Sequence, residues 1–295
     1  MNTMQHMFSI FEFVLVLFLM FTANARARGR GGIDFDKNYV VTYGQDRILK
    51  LKQGKKVQLS MDQASGSGFE SKSHYGSGLF QMKIKLPPRD SAGVVTSFYL
   101  TSEGNSQDEI DFEFLGNRQG KPIEVQTNVF TNGQGGREQK VHLWFDPTTS
   151  FHTYGILWNP YHIVFYVDKI PIRVFKNNKR YEMNYPSKPM RVMASVWNGE
   201  AWATDGGKEK INWAYAPFKA QYQGFAEHGC RLDGQSDNGK DCGSARYWWN
   251  TRTYNRLSAN QQKELENVRA KYMNYDYCSN QPRHHVFPSE CQWNK

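Results

Sequence analysis

The chain has 295 residues, 39% hydrophobic and 15% aromatic, with 37 Lys and Arg against 28 Asp and Glu and a net charge of +9. That apolar share can fill a core and excludes wholesale disorder, and the length suits one large all-β domain or two small ones. The one long apolar run, Phe13 to Phe21, falls well short of the about 20 residues that span a bilayer.

Residues 1–25 read as an export signal: an apolar stretch followed by the small-x-small site Ala23-Asn24-Ala25. Cleavage after Ala25 removes Glu12 and no Lys or Arg, so the exported chain is slightly more basic and is not held at a membrane. The excess charge does not form a nucleic-acid footprint. Lys52, Lys55 and Lys56 surround a turn at Gly54, and Lys176, Lys179 and Arg180 surround Asn177-Asn178, as solvated loop charges do. A basic exported protein can also adhere to an acidic polysaccharide by plain electrostatics.

From Tyr39 to Trp197 the chain is a procession of short β-like runs. Val57 to Met61 alternates, and Leu79 to Leu86 stops at Pro87-Pro88. Val94 to Leu100, Val125 to Phe130 and Val141 to Phe145 follow. Ile163 to Val167 and Ile170 to Phe175 flank Asp168-Lys169 as a hairpin, and Arg191 to Trp197 closes the series. Strand-sized runs separated by Gly, Pro, Asn and Asp predict a sandwich or barrel. Residues 198–257 read as loops packed on the sandwich edge. One helix is predicted after Ser258, whose spacing to Gln261 fits a capping box, with Leu265, Val268 and Tyr272 on one face. The boundaries expected are a signal at 1–25, a β domain at 26–220 and a C-terminal extension at 221–295.

All four cysteines are late. Export favours two disulfides, and of three possible pairings proximity favours Cys230–Cys242 and Cys278–Cys291. No CxxC pair supports zinc. No GxSxG, HExxH, GxGxxG or Walker pattern occurs, and no metal or cofactor is expected.

The sharpest signal is Asp108-Glu109-Ile110-Asp111-Phe112-Glu113-Phe114-Leu115-Gly116. On a strand, Ile110, Phe112 and Phe114 share one face and Glu109, Asp111 and Glu113 the other. Three aligned carboxylates repel each other, a poor structural choice unless the charges are used. An exposed acidic face or a calcium ligand set are the plainer readings. Glycoside hydrolysis needs two carboxyl groups flanking the scissile bond, about 5–5.5 Å apart for retention and about 6.5–9.5 Å for inversion. Residues four apart on a strand have Cα atoms about 13 Å apart; leaning Glu side chains bring the gap to about 5–7 Å, overlapping both ranges. Asp111 between them can hydrogen-bond one Glu and hold their pKa values apart. Among the tryptophans, Trp202 is the best candidate for an exposed sugar platform, because Asn198 to Gly207 has no strand period.

DEIDFEFLG, with SKSHYGSG at 71–78, QTNVF at 126–130, LWFDPT at 143–148, the Trp202 loop and the tail Tyr275 to Cys291, resembles the xyloglucan endotransglucosylase/hydrolases of plant cell walls, within glycoside hydrolase family 16. The resemblance implies a concanavalin-like β-jelly roll with a one-helix C-terminal extension. It implies a secreted, monomeric, cofactor-free enzyme of the cell wall or apoplast that acts on xyloglucan or a related β-1,4-glucan as donor and acceptor, with retention. By motif position Glu109 would be the nucleophile, Glu113 the general acid/base and Asp111 the helper. Gln126, Asn128, Arg137 and Glu138 would bind sugar, Trp197 on the donor side, and Trp202, Gly206, Tyr275 and Arg283 on the acceptor side. It implies the same disulfide pairing. The short turn Asn132 to Gly136 favours transfer, since family hydrolases carry a longer loop there. The chain departs from the family in having no N-x-S/T sequon, Gln107 before the motif and Ala201 before the loop tryptophan.

Overall fold

The computed structural model describes residues 33–232, 241–280 and 288–293; the expected signal and Arg283 lie outside the described residues. In chain order the strands are β1 (Tyr39–Tyr43), β2 (Ile48–Leu51), β3 (Lys56–Met61), β4 (Ser67–Ser71), β5 (Tyr75–Lys85), β6 (Val94–Thr101), β7 (Glu109–Leu115) and β8 (Glu124–Phe130). They continue as β9 (Gln139–His142), β10 (His152–Trp158), β11 (His162–Val167), β12 (Ile170–Lys176), β13 (Arg191–Asn198), β14 (Phe218–Gln223), β15 (Glu227–Arg231) and β16 (Met273–Asp276). A short helix α1 (Phe35–Asn38) precedes them, and α2 (Ala259–Lys271) lies in the extension.

Two antiparallel sheets result. The first runs β1-β4-β13-β6-β7-β8-β9-β16 and the second β12-β11-β10-β5-β14-β3-β2, with β15 also on β5. They pack face to face, as the predicted jelly-roll sandwich requires. The alternation read on β7 sets the core: Ile110, Phe112 and Phe114 are buried, with Phe114 centred 4.5 Å from Tyr154 on β10 and Phe112 5.1 Å from Phe165 on β11, both edge to face. Such pairs contribute about 0.5–1.5 kcal/mol beyond area burial. The predicted hairpin turns through Asp168 and Lys169, both at positive φ (48° and 74°), the backbone hand that matches strand twist.

The segment 198–257 is not all loop. Phe218, Ala220 and Tyr222 point inward from β14 while Lys219 faces out, and β14 fills the gap between β3 and β5. This period-2 signal is short and stands among Gly-, Trp- and Asn-rich turns, so it was hidden. The boundary expected at residue 220 therefore falls inside a strand. Downstream, Trp249 and the Cys230–Cys242 disulfide cover Leu157 and Val164 on the outer face of the second sheet. Cys278–Cys291 closes the tail. The helix α2 starts at a capping box between Ser258 and Gln261 and buries Leu265 and Val268. Among the described residues, no helix is long and apolar enough to cross a membrane.

Candidate active site

Pairing across the first sheet converts the acidic face of β7 into a site. Glu109 stands opposite Thr101 on β6 and Phe130 on β8; Asp111 opposite Tyr99 and Asn128; Glu113 opposite Ser97 and Gln126. All of these side chains but Thr101 line, with Ser195 on β13, Glu138, Trp197 and Trp202, a groove of about 390 Å³. The apolar side chains of β7 anchor the strand from behind, so the three acids are held in line without any contact among themselves having to fix the backbone.

Charge repulsion in the row is relieved by protons and donors. Asp111 is the innermost acid, 5% exposed. Burial, then the charges of Glu109 and Glu113, push its carboxyl well above the usual range, and its hydrogen bond to Glu109 also favours the protonated form. Burial raises the Glu109 carboxyl too, opposed by hydrogen bonds from Thr101 and from Asp111 that favour its charged form. Glu113 is raised chiefly by burial, and by Glu109 and Glu138, while the Gln126 amide and Lys140 oppose the rise. Gln126 Nε2 donates to Glu113 Oε2 at 2.7 Å. Beneath the sheet, buried Arg173 donates to the Thr127 carbonyl at 2.7 Å and to its hydroxyl at 3.0 Å, and its charge partly offsets the push on Asp111. Burial thus raises all three carboxyls, Asp111 furthest, while each Glu keeps at least one donor that favours its charged form.

The fourth acid of the motif faces the other way. Asp108 is buried and accepts backbone N–H groups of Asn132 at 2.9 Å, Ser187 at 2.7 Å and Lys188 at 3.0 Å. It ties two loops to the start of β7 and lies outside the groove.

Both tryptophans stand at the Glu113 end, because Trp197 on β13 pairs with Val95 and Val95 with Leu115. Trp197 and Trp202 are 6.0 Å apart, centre to centre, over a small apolar base of Val95, Leu115 and Ala203. The rings expected as donor-side and acceptor-side platforms thus stand side by side. Trp202 is half-buried; the most exposed tryptophan is Trp248, far along the chain. The Trp202 loop is clamped: Thr204 Oγ1 donates to the Gly116 carbonyl at 2.6 Å and accepts from Gly93 N at 2.8 Å. Gly206 and Gly207 turn it at positive φ, and a Cβ on Gly207 would lie 2.1 Å from the Ala201 carbonyl.

Arg137 differs from expectation. Its Nε donates to Glu290 Oε1 at 2.6 Å and its Nη1 to the carbonyls of Val129 and Gln134, and it is not among the groove's lining residues. A guanidinium finds more satisfied donors against a buried carboxylate and two carbonyls than in the open groove. Its backbone N–H still serves the site, donating at 3.0 Å to Asn128 Oδ1, which also receives Val129 N and so presents its amide toward Glu138. Tyr275 stands on edge strand β16 opposite Lys140, which stands opposite Gln126 on β8 and so extends the row of Glu113 across the sheet. The groove also takes in Ser97, Tyr99, Phe130 and Ser195, which the sequence reading left out. Their signal was alternation: Ser97 and Tyr99 interleave with inward Phe98 and Leu100.

Comparison with known proteins supplies context for this geometry. Residues 35–215 match the family described as glycosyl hydrolases family 16, and residues 243–291 match the xyloglucan endo-transglycosylase C-terminus. The chain is 79% identical to xyloglucan endotransglucosylase/hydrolase protein 2 of Arabidopsis thaliana, over 97% of this chain and 98% of that one. It is 50% identical to a xyloglucan endotransglucosylase/hydrolase of Brassica oleracea var. botrytis over 88% of each. Among solved structures, a Bacillus licheniformis beta-glucanase is similar with a TM-score of 0.54 and 27% identity, over 66% of this chain and 92% of that one.

Proposed function

Because the chain belongs to glycosyl hydrolase family 16, among the xyloglucan endotransglucosylase/hydrolases, we propose that it cuts the β-1,4-glucan backbone of xyloglucan with retention and passes the donor end to another glucan chain. The observation that carries this is the row Glu109–Asp111–Glu113 on one face of β7, open to a groove and furnished with the donors its charge states need.

In this mechanism Glu113 gives its proton to the leaving glycosidic oxygen as the Glu109 carboxylate attacks the anomeric carbon, leaving the donor as an ester on Glu109. The departing half leaves. An acceptor hydroxyl then gives its proton to the Glu113 carboxylate and displaces Glu109 from the anomeric carbon, restoring both acids. Asp111 keeps its own proton, donates it in a hydrogen bond to Glu109, and so stabilises that carboxylate before attack and after release. Gln126, Asn128 and Glu138 sit where sugar hydroxyls would pass. Transfer outruns hydrolysis when an acceptor is held in attacking position better than water is. The joined Trp197–Trp202 surface on the β13 side of β7 supports that outcome; Tyr275, on β16 across the groove, is read as a further acceptor contact, as is Arg283 from its place in the sequence. The tight turn after β8, where Thr131 and Gln134 bridge and Asn132 and Gly133 take positive φ, also supports transfer.

We further read the catalytic module as closing with β15, the later residues forming an extension, and the protein as secreted to the plant cell wall and working as a monomer. The test mixes polymeric xyloglucan with labelled xyloglucan oligosaccharides. Label in polymer supports transfer; new reducing ends without label would replace it with hydrolysis, and neither would remove the enzymatic reading.

A further inference from the structure

A second cavity, of about 990 Å³, lies against the second sheet, between the turn after β12 and the amino end of α2. Lys176, Lys179, Arg180 and Arg256 line it and no Asp or Glu does. Among the described residues Lys179, Arg180 and Arg256 make no ion pair. Loop lysines and arginines on a mixed surface usually sit among acids; four cations around one concavity give a local positive field. The amino end of α2, through Ser258 and Ala259, adds its partial positive charge from the same side, and the first turn of that helix has no acidic residue to cancel it.

An independent feature speaks to the ligand's chemistry. His162 lines the same cavity and is 4% exposed. Burial pushes its imidazole down to about 4, so it is neutral, and its ring bonds the Tyr254 backbone. Its Nε2 has no hydrogen-bond partner. With the other nitrogen donating to a carbonyl, Nε2 is an unpartnered acceptor without exposed surface, so the ring marks the cavity wall as neutral and polar and adds no charge of either sign. Asn177, Asn178, Asn255 and Gln262 bring further amides, and Tyr161, 42% exposed, offers a ring face.

We propose that this cavity binds a uronic acid polysaccharide, the cations taking its carboxylates and the amides and tyrosine taking its hydroxyls and ring faces. A polyphosphate matches the cations and can accept from the amides, but it has no ring to lie on Tyr161. The choice of a wall-type polysaccharide rests on the proposed function, but the site and its test do not depend on xyloglucan transfer. Bound there, a polyuronate would hold the enzyme on an acidic matrix while the groove in the other sheet stays open to glucan.

The experiment measures binding of the full-length protein to de-esterified polygalacturonate in about 0.15 M salt, where dispersed surface charge is screened beyond about 8 Å. The charge reversal Lys179→Glu, Arg180→Glu, Arg256→Glu is compared with Lys52→Glu, Lys55→Glu, Lys56→Glu, which changes net charge equally at a distant turn. Expected is weakening of about tenfold in the first variant, at about a factor of two to three for each exposed ion pair, and little change in the second. Xyloglucan transfer stays unchanged in both, which separates this result from any failure of the enzymatic reading. The milder Arg256→Gln variant, showing about a two- to threefold loss, guards against misfolding of the triple variant. Equal weakening in both triple variants, equal binding of fully methyl-esterified polymer, or equal affinity for polyphosphate would overturn the proposal.

Discussion

Gln126 donates its amide to Glu113 from the position directly opposite it on the neighbouring strand, at 2.7 Å. One side chain thereby orients the acid and holds its pKa down against burial. In Gln126→Ala the burial effect acts with less opposition, so the Glu113 carboxyl rises further. Glu113 must be protonated for the first step, so the alkaline limb of kcat/KM moves to higher pH while the rate at the optimum falls. A pH–rate profile with an unmoved alkaline limb would contradict the assignment of Glu113 as the acid.

Asp111 carries a linkage of definite sign. Its folded pKa lies above the ordinary carboxylate value. Its contribution to stability is full below the unfolded pKa and is lost as pH rises through the folded one. Asp111→Asn keeps the shape and a donor toward Glu109 without that dependence. Its Tm therefore gains on wild type as pH rises above about 4, by about 2–4 °C for each kcal/mol of relief, while transfer slows. Parallel Tm curves across that range would mean the carboxyl is not perturbed.

The Trp197–Trp202 surface belongs to one end of the groove. Trp202→Ala removes one ring from a supported pair and raises KM for an oligosaccharide acceptor about three- to tenfold, from the about 0.5–1.5 kcal/mol that aromatic packing contributes beyond area. The label-transfer to hydrolysis ratio falls with it. An effect confined to the donor KM would place the surface on the opposite side of the scissile bond.

Arg137 and Glu290 tie the tail to the turn after β8, with side chains 15% and 10% exposed. Either Arg137→Gln or Glu290→Gln costs about 1–3 kcal/mol, seen as a lower denaturant midpoint, since it strands the other charge. The KM for glucan stays within about twofold, because the guanidinium is turned away from the groove. A large KM rise in Arg137→Gln but not in Glu290→Gln would return Arg137 to the sugar-binding set.

The catalytic strand was legible because its two faces differ completely in chemistry: Ile110, Phe112 and Phe114 against Glu109, Asp111 and Glu113. The helix start was legible for the same kind of reason, since Ser258 and Gln261 satisfy each other locally. What stayed hidden depends on partners far along the chain. The strand β14 earns its place by filling a gap between β3 and β5, and six residues among turns do not announce that. The direction of Arg137 follows from Glu290, 153 positions later. The union of Trp197 and Trp202 follows from the register of β13 on β6 and from a clamped loop, neither written in local periodicity.

The ester on Glu109 is the step on which the proposed chemistry turns. Protein incubated with polymeric xyloglucan and no added acceptor is quenched in acid, digested and examined by mass spectrometry. A glycan adduct is expected on Glu109 within the segment 109–115, and it disappears on prior addition of xyloglucan oligosaccharide. An adduct on Glu113, or turnover of xyloglucan by Glu109→Gln at the wild-type rate, would contradict it.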